Sequence, residues 1–407
     1  MTAATSGTKE FRSADFKSAI LALSAGWVMI YADRLSISPI MNLIRQQFGL
    51  TYSEVSLVVS IYFLAYVGFT IPATITAEKF GYRKVMFLFF LLAAVSLLAA
   101  GALGYSYLLL VLLMGLHGAG AGAYYPTAYR ISNATIRGER GLVSALINSG
   151  MGFGTMAGLL VAGPILNLFQ NWQVMLILLS VPTFVVAVML RGLTEEPPLN
   201  DKDNRSPLVN YRKLLENRNF VMLCCAMFCS LYGYWVILTW GPSYLQESLG
   251  LGIFFSGAVT AVFSAFAIPS SILISYYSDR AGRKRVAMII LPLAALAIFI
   301  LAISSNLTYV LLAIAFYGIF GKLTLDPIVI AWVADFIGQE QLGSALALLN
   351  VAAMSSSILA PFITGLLADI FGGLATGFFL GAAVVLLGLL FVAIVQEGNG
   401  WRHGPSV

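Results

Sequence analysis

Long apolar segments separated by short polar turns make up most of this chain. Each segment has the length of a helix, and none alternates apolar and polar residues as a barrel strand does. Because a helix needs about 20 apolar residues to cross a bilayer, the pattern predicts an all-α integral membrane protein. We expect about twelve transmembrane helices, near residues 18–42, 53–77, 84–103, 106–130, 141–168, 172–192, 219–246, 253–277, 286–304, 308–333, 342–370 and 374–395.

Composition and charge agree with this pattern. Hydrophobic residues are 59% of the chain and charged residues 10%, against about 25% charged in a soluble domain. The formal net charge is +5, and about 19 of the 23 Lys and Arg residues fall on one side of the predicted membrane. This bias predicts a multi-pass protein of the cell (inner) membrane with both termini cytoplasmic. It explains the basic charge without a nucleic-acid partner.

The two halves of the chain repeat each other about 201 residues apart. The basic turn Glu78–Lys84 returns as Asp279–Arg285, and Pro126 returns as Pro327. A duplicated apolar chain with matched turns predicts two pseudo-symmetric six-helix bundles. We assign residues 1–193 to the first bundle, 194–218 to a polar cytoplasmic linker and 219–407 to the second bundle. A short surface helix is expected near 211–217.

A few ionisable residues fall near the predicted middle of the membrane: Asp33, Arg34, His117, Lys322 and Asp326. Each ion at a helix centre costs about 2.5–3.5 kcal/mol on insertion scales. Their presence therefore predicts a water-filled cavity between the bundles.

Arg34 is the predicted anchor for an anionic substrate, because its guanidinium stays charged and fits a carboxylate. The alternative is an internal pair with Asp33, although adjacent helical residues point about 100° apart. Asp33 is the predicted proton carrier, with a permanent structural partner as its alternative. Lys322 and Asp326 share a helix face, with an attraction of roughly 4 kcal/mol at an effective dielectric near 20. We interpret Lys322 as a second anchor and Asp326 as a second proton-coupling group; a static pair beside Pro327 is the alternative.

Other polar and aromatic residues at suitable depth are candidates for substrate contact. His117 lies beside a Gly-rich run, and an unperturbed histidine suits proton exchange, although His117 could merely hydrogen-bond a neighbour. Two asparagines at related positions could bond substrate hydroxyls, and several aromatics could line the cavity or simply pack. The remaining predicted substrate contacts are Tyr31, Tyr62, Tyr124, Tyr232, Trp235, Asn148 and Asn350.

The repeated turns place acids beside bases at helix ends. Such a cluster can hold one packing of the bundles and must break when they rock, which would bias one orientation by about 1–3 kcal/mol. The alternative is that these charges only set topology. The predicted conformational gate comprises Glu78, Arg83, Lys84, Asp279, Arg283 and Lys284.

These turns resemble the loop signature of the major facilitator superfamily, over nearly the whole chain. Thr74 and Ser275 replace the usual first Gly of that signature, and Glu78 replaces its first Asp, while Asp279 keeps it. The resemblance implies the major facilitator fold and transport by alternating access.

Narrower motifs resemble the anion:cation symporter branch, which takes up organic anions with protons or sodium. They are Tyr31-Ala32-Asp33-Arg34, the run from Gly118 to Pro126, Glu139-Arg140-Gly141, and Trp240-Gly241-Pro242-Ser243-Tyr244-Leu245. Many members carry an Arg and a Glu in the fourth helix where this chain has Met114 and Ala121. One half of the usual coupling pair is therefore missing, so that mechanism does not transfer whole.

We therefore predict a transporter of a small carboxylate-type anion, coupled to protons or sodium, and not an enzyme. The alternatives are a drug/proton exporter of the same superfamily and a carrier of an uncharged solute. Gly163-Pro164 lacks the Gly-Gly that exporters carry after it, and an uncharged solute has no use for Arg34. We expect a monomer in membrane lipid, with no cofactor, no metal and no nucleic acid.

Overall fold

The computed structural model describes residues 13–135, 140–192 and 211–396, and every regular element in these ranges is helical. The first half contains α1 to α8, with a short 3-10 turn at Ser38–Ile40; the second half contains α9 to α16. In chain order the helices are α1 Ser13–Leu35, α2 Met41–Phe48, α3 Tyr52–Phe80, α4 Tyr82–Leu103, α5 Tyr107–Gly122, α6 Tyr124–Thr135, α7 Arg140–Phe169, α8 Trp172–Arg191, α9 Tyr211–Glu216, α10 Arg218–Leu249, α11 Ile253–Ala281, α12 Arg283–Ile303, α13 Leu307–Phe320, α14 Lys322–Phe336, α15 Gln339–Phe371 and α16 Ala375–Ile394.

These helices form 12 spans long and apolar enough to cross a membrane, which confirms the predicted fold class. Three spans are interrupted: the first comprises α1, the 3-10 turn and α2, another comprises α5 and α6, and a third comprises α13 and α14. Large apolar side chains point outward along the spans, for example Leu168, Ile272 and Leu273. Outward apolar surface of this extent is what lipid contact requires.

The duplication seen in the sequence is repeated in the backbone. Gly81 ends α3 with φ 99°, and Gly282 ends α11 with the same φ. This conformation suits glycine because it has no Cβ. Helix packing repeats as well: α4 packs on α8 as α12 packs on α16, and α3 on α5 as α11 on α13. We call the end of the molecule that carries Gly81 and Gly282 the turn end, and the opposite end the far end.

A ridge of glycines on α7 packs directly against α1. A Cβ added at Gly150 would lie 2.4 Å from the Ser24 carbonyl oxygen, and one at Gly154 would lie 2.4 Å from that of Val28. Small residues at four-residue spacing allow this approach of two helix backbones. The ridge therefore fixes the position of α1, which carries Asp33 and Arg34.

A second set of glycines holds α5 against two neighbours. A Cβ at Gly118 would lie 2.1 Å from the Tyr62 carbonyl oxygen on α3, and one at Gly120 would lie 2.5 Å from the Ala93 nitrogen on α4. Glycine is thus required on both sides of α5. These contacts bring His117 next to Tyr62 and Ala93.

The linker is only partly within the described residues. Its short predicted helix is present as α9, and the segment 193–210 lies outside the described ranges. The boundaries at 193/194 and 218/219 therefore stay predictions.

Candidate functional site

Arg34 lies where the two bundles meet near the middle of the spans. Its guanidinium carbon is 3.5 Å from the ring centroid of Tyr31 on the same helix, and 5.1 Å from that of Trp235 on α10. The Phe63 ring of α3 is 5.5 Å away. The side chain is buried beside the Tyr62 hydroxyl, and its Nε and Nη2 atoms have no hydrogen-bond partner among the residues that the structure describes. The interface therefore holds a desolvated cation with free donors, sandwiched by aromatic rings.

Asp33 points away from Arg34 into the first bundle. The Thr183 hydroxyl of α8 hydrogen-bonds its Oδ2 at 2.8 Å, and the His117 Nε2 atom of α5 lies 3.9 Å from the same oxygen. Asp33 is 1% exposed, and no described residue hydrogen-bonds its Oδ1 atom. The side chains of Asp33 and Arg34, neighbours on α1, thus lie in two different environments, as the 100° step between helical residues predicts.

Lys322 and Asp326 form an ion pair at the start of α14. Their side chains are 15% and 24% exposed, so water reaches both. The Lys322 Nζ atom lies 5.5 Å from the ring centroid of Tyr234, and the rings of Tyr234 and Trp235 are 5.4 Å apart. Because Trp235 also faces Arg34, cations from opposite bundles flank two adjacent rings of α10.

The other predicted contacts divide between this cluster and the bundle interiors. Tyr31, Trp235 and the buried Tyr62 belong to the cluster or adjoin it; the Tyr62 ring stacks on Tyr66 and lies 5.4 Å from the His117 ring. Tyr124 instead donates its hydroxyl to the Leu23 carbonyl inside the first bundle. This geometry gives no support to a substrate contact for Tyr124.

Three further candidates are less informative. Tyr232 is buried on α10, where its hydroxyl lies close to the Thr364 side chain. Asn350 is half-buried on α15. The side chain of Asn148 lies outside the described residues. Substrate contact by these three stays a prediction.

The repeated turns make their described contacts within one bundle. Arg283 pairs with Asp335 at 2.7 Å and with Asp279 at 3.5 Å, while Lys284 donates to the Ala393 and Val395 carbonyls at 2.8 and 2.7 Å. The first-half residues Glu78 and Arg83 are half-buried at the matching turn, and Lys84 is exposed. A clamp between the bundles at this end stays a prediction.

The described hydrogen bonds between the bundles lie instead at the far end. The backbone nitrogens of Tyr52 and Ser53 donate to the Asp369 carboxylate at 2.7 and 2.8 Å. Tyr52 begins α3, whose 29 residues put about 43 Å between it and the turn end.

Two further contacts join the same end. Arg45 pairs with Glu247 at 3.5 Å, and Gln246 donates to the Pro39 carbonyl at 2.8 Å. The molecule is therefore joined across the bundles at the far end.

Sequence reasoning missed several of these residues. Thr183 is one hydroxyl in an apolar helix, Phe63 and Tyr234 resemble many other buried aromatics, and Asp369 lies near a helix end. Their partners are distant in the chain, so no local spacing identifies them. The only available signal was the rarity of a hydroxyl in a segment as apolar as α8.

A cavity elsewhere in the second bundle has a different character. It has a volume of about 420 Å³, opens between α10, α15 and α16, and is lined by apolar residues, cysteines and one serine. Its lining includes no Asp, Glu, His, Lys or Arg, and neither Arg34 nor Lys322 reaches it. Within the described ranges, no cluster of three or more His, Cys, Asp or Glu residues could hold a metal.

The family model described as the Major Facilitator Superfamily matches residues 23–321 and 223–405. The chain belongs to this superfamily. Its members are transporters, so the predicted resemblance is confirmed, and the chain is a multi-pass transporter rather than an enzyme.

Two relatives and one solved structure show which transporters this chain is similar to. The probable sulfoacetate transporter of Cupriavidus necator is 25% identical, over 89% of this chain and 90% of its own length. The hexuronate transporter of Bacillus subtilis is 23% identical, over 95% and 96%. Both are named for organic anions. The D-xylose-proton symporter structure superposes with TM-score 0.78 over 95% of this chain and 99% of its own, at 17% identity, which supports the fold.

Proposed function

We propose that this member of the superfamily is a secondary active transporter that moves a small organic anion by alternating access, together with a proton. The observation that carries the proposal is the buried Arg34 guanidinium, which lies between the bundles with unpaired donors. Leaving a charged donor unpaired costs about 1–3 kcal/mol or more. A substrate carboxylate would satisfy these donors with charge-assisted hydrogen bonds.

Lys322 is the proposed second anchor, on the opposite bundle. An anion that contacts Arg34 on one side and Lys322 on the other would make different contacts as the bundles rock. Binding would also compete with Asp326 for Lys322, since the two side chains already form an ion pair. A displaced Asp326 would be a carboxylate within the membrane without a cation, which favours proton uptake. Asp326 and Asp33 are therefore the proposed proton-coupling residues.

The orientation follows from charge. The excess of Lys and Arg at the turn end supports a cytoplasmic location for that end and for both termini. The far end, joined by Asp369, Arg45 and Glu247, would then face outward, and the structure would correspond to an inward-facing state. A monoanion that crosses with one proton carries no net charge, whereas a second proton would make uptake voltage-driven.

The rival substrates fit the site less well. An uncharged solute could offer the Arg34 donors only neutral acceptors and would leave its positive charge without a counterion. A cationic drug would be repelled by the positive charges of Arg34 and Lys322. The relatives named for sulfoacetate and hexuronate support an anion.

The test is counterflow in liposomes that contain the purified protein. The labelled probes are sulfoacetate, glucuronate and a short dicarboxylate, with glucose as the neutral comparison. We expect counterflow of at least one anion and none of glucose. Arg34→Ala should weaken that anion at least about 100-fold, since two charge-assisted hydrogen bonds are worth about 3 kcal/mol or more.

The matched control is Arg212→Ala, which removes an exposed arginine of α9 that pairs only with Glu216 among the described residues. It should leave the affinity unchanged. Anion counterflow that survives Arg34→Ala with wild-type affinity would refute the anchor, and counterflow of glucose alone would refute anion transport.

A further inference from the structure

The environment of Asp33 contains one hydrogen too few if its carboxylate is ionised. The Thr183 hydroxyl oxygen lies 2.8 Å from Asp33 Oδ2 and 2.9 Å from the Leu179 carbonyl oxygen. A hydroxyl has a single hydrogen, and a carbonyl can only accept. Thr183 can satisfy Leu179 and still hydrogen-bond Asp33 only if the carboxyl group supplies the second hydrogen.

The hydrogen bonding of His117 also indicates that a hydrogen is missing between His117 and an ionised Asp33. Its Nδ1 atom lies 2.9 Å from the Ala93 carbonyl oxygen. Because that oxygen only accepts, Nδ1 carries the hydrogen, and Nε2 of a neutral ring is then a bare lone pair. Within the described part of the chain Nε2 has no hydrogen-bond partner, and it faces Asp33 Oδ2 at 3.9 Å. A bare nitrogen facing an ionised carboxylate would be two acceptors with no proton between them.

The surroundings supply little other charge. The ionisable residues of α4, α7 and α8 lie at helix ends: Tyr82, Arg83 and Lys84 begin α4, Arg140 begins α7 and Arg191 ends α8. From α3, Tyr62 faces His117 with ring centroids 5.4 Å apart. From α1, Arg34 is adjacent to Asp33 in sequence but lies against the rings of the bundle interface. An ionised Asp33 would therefore be a buried charge without a directly bonded cation, which is costly.

We propose that Asp33, Thr183 and His117 form a buried proton-binding site that holds one proton between the carboxyl group and His117 Nε2. In this conformation the proton lies on Asp33 and is donated to Thr183, because 3.9 Å is too long for a hydrogen bond to His117. Transfer breaks the carboxyl O–H bond and forms an N–H bond at Nε2, which leaves a carboxylate and an imidazolium. His117 is thus assigned to the proton and not to the substrate.

This inference rests on the proposed function for its link to transport. Asp33 and Arg34 are consecutive on α1, so an anion bound to Arg34 cancels the positive charge that favours an ionised Asp33. Anion binding and proton binding would then reinforce each other. The proton site itself stands on the local hydrogen-bond geometry and is testable without any substrate.

The first measurement is infrared spectroscopy of the purified protein in lipid as a function of pH. We expect a protonated-carboxyl band at neutral pH that is lost in Asp33→Asn and shifted in frequency in Thr183→Val. Glu216→Gln, an acid-to-amide change on the surface helix α9, is the matched control, and it should leave the band in place. If Asp33→Asn does not fold, the frequency of the carboxyl band in Thr183→Val compared with wild type tests the proposal.

The second measurement is the ¹⁵N spectrum of ring-labelled histidine. The chain has 2 histidines, so His403→Gln leaves His117 as the sole signal. We expect a neutral ring with the hydrogen on Nδ1. An imidazolium without the carboxyl band would place the same proton on His117 and also support the site.

The proposal is overturned if wild type shows neither a carboxyl band that responds to these variants nor an imidazolium at neutral pH, or if the hydrogen lies on Nε2 of a neutral ring. Because no substrate is added, these results are independent of anion counterflow. Loss of counterflow in all preparations with the proton site intact would refute the proposed function alone.

Discussion

Asp369 of α15 holds the first turn of α3 across the bundle interface, so its replacement should loosen the far end. Its two carboxylate oxygens accept from the Tyr52 and Ser53 backbone nitrogens at 2.7 and 2.8 Å. These donors are the free N–H groups of a helix N-terminus, where negative charge is favourable. Asp369→Asn keeps the size of the side chain, removes the charge and leaves only one accepting oxygen.

The expected magnitude follows from these two bonds. A hydrogen bond to a charged group contributes about 1.5–3 kcal/mol, and the helix dipole adds about 0.3–1 kcal/mol. Asp369 is exposed, so water replaces part of what is lost, and we expect a net loss of about 1–2 kcal/mol. The ratio of molecules joined at the far end to molecules separated there should fall about 5- to 30-fold.

The assay is pulsed electron spin resonance of the protein in lipid nanodiscs, in a background without the three native cysteines. Spin labels at Gln46 and Ser248 report the far end, and labels at Lys79 and Arg280 report the turn end. Asp369→Asn should add a longer distance to the first pair and a shorter distance to the second. Opposite changes at the two ends are the signature of rocking rather than unfolding.

The control is Glu216→Gln, an acid-to-amide change on the surface helix α9, away from the interface. It should leave both distance distributions as in wild type. Unchanged distributions in both Asp369→Asn and Asp369→Ala would refute the reasoning, because the bonds would then contribute nothing to closure. Longer distances at both ends would indicate loss of the fold and would also count against it.

Two further predictions concern packing and the second ion pair. Gly154→Ala should lower the thermal unfolding midpoint of the detergent-solubilised protein, because its Cβ would lie 2.4 Å from a backbone oxygen of α1 and overpacking costs about 1–3 kcal/mol. The control Gly152→Ala, whose nearest contact is 3.7 Å away, should have little effect. Equal shifts of the midpoint in the two variants would contradict the close packing of α7 on α1. Lys322→Ala should destabilise the protein more than the double variant Lys322→Ala/Asp326→Ala, since the single change leaves a carboxylate in the membrane without its cation. If the double variant loses as much unfolding stability as the two single variants together, the two residues are not coupled.

Much of the fold could be predicted from the chain alone, because a membrane makes structure local. A spanning helix satisfies its own backbone, so length and apolarity suffice to locate it, and the 12 spans follow from them. The turns at Gly81 and Gly282 were predictable because a short basic motif repeats. The divergent directions of Asp33 and Arg34 were predictable too, since helix geometry relates adjacent residues without any reference to the rest of the molecule.

Tertiary structure decided which side chains meet. Thr183 reaches Asp33 across 150 positions of the chain, and Asp369 reaches Tyr52 across 317. Nothing periodic links such partners, because their contact depends on how the helices pack and rotate against one another. The role of His117 likewise depended on the nearby Ala93 carbonyl, which fixes the ring hydrogen. Sequence therefore determined which ions enter the membrane, and packing determined what each of them faces.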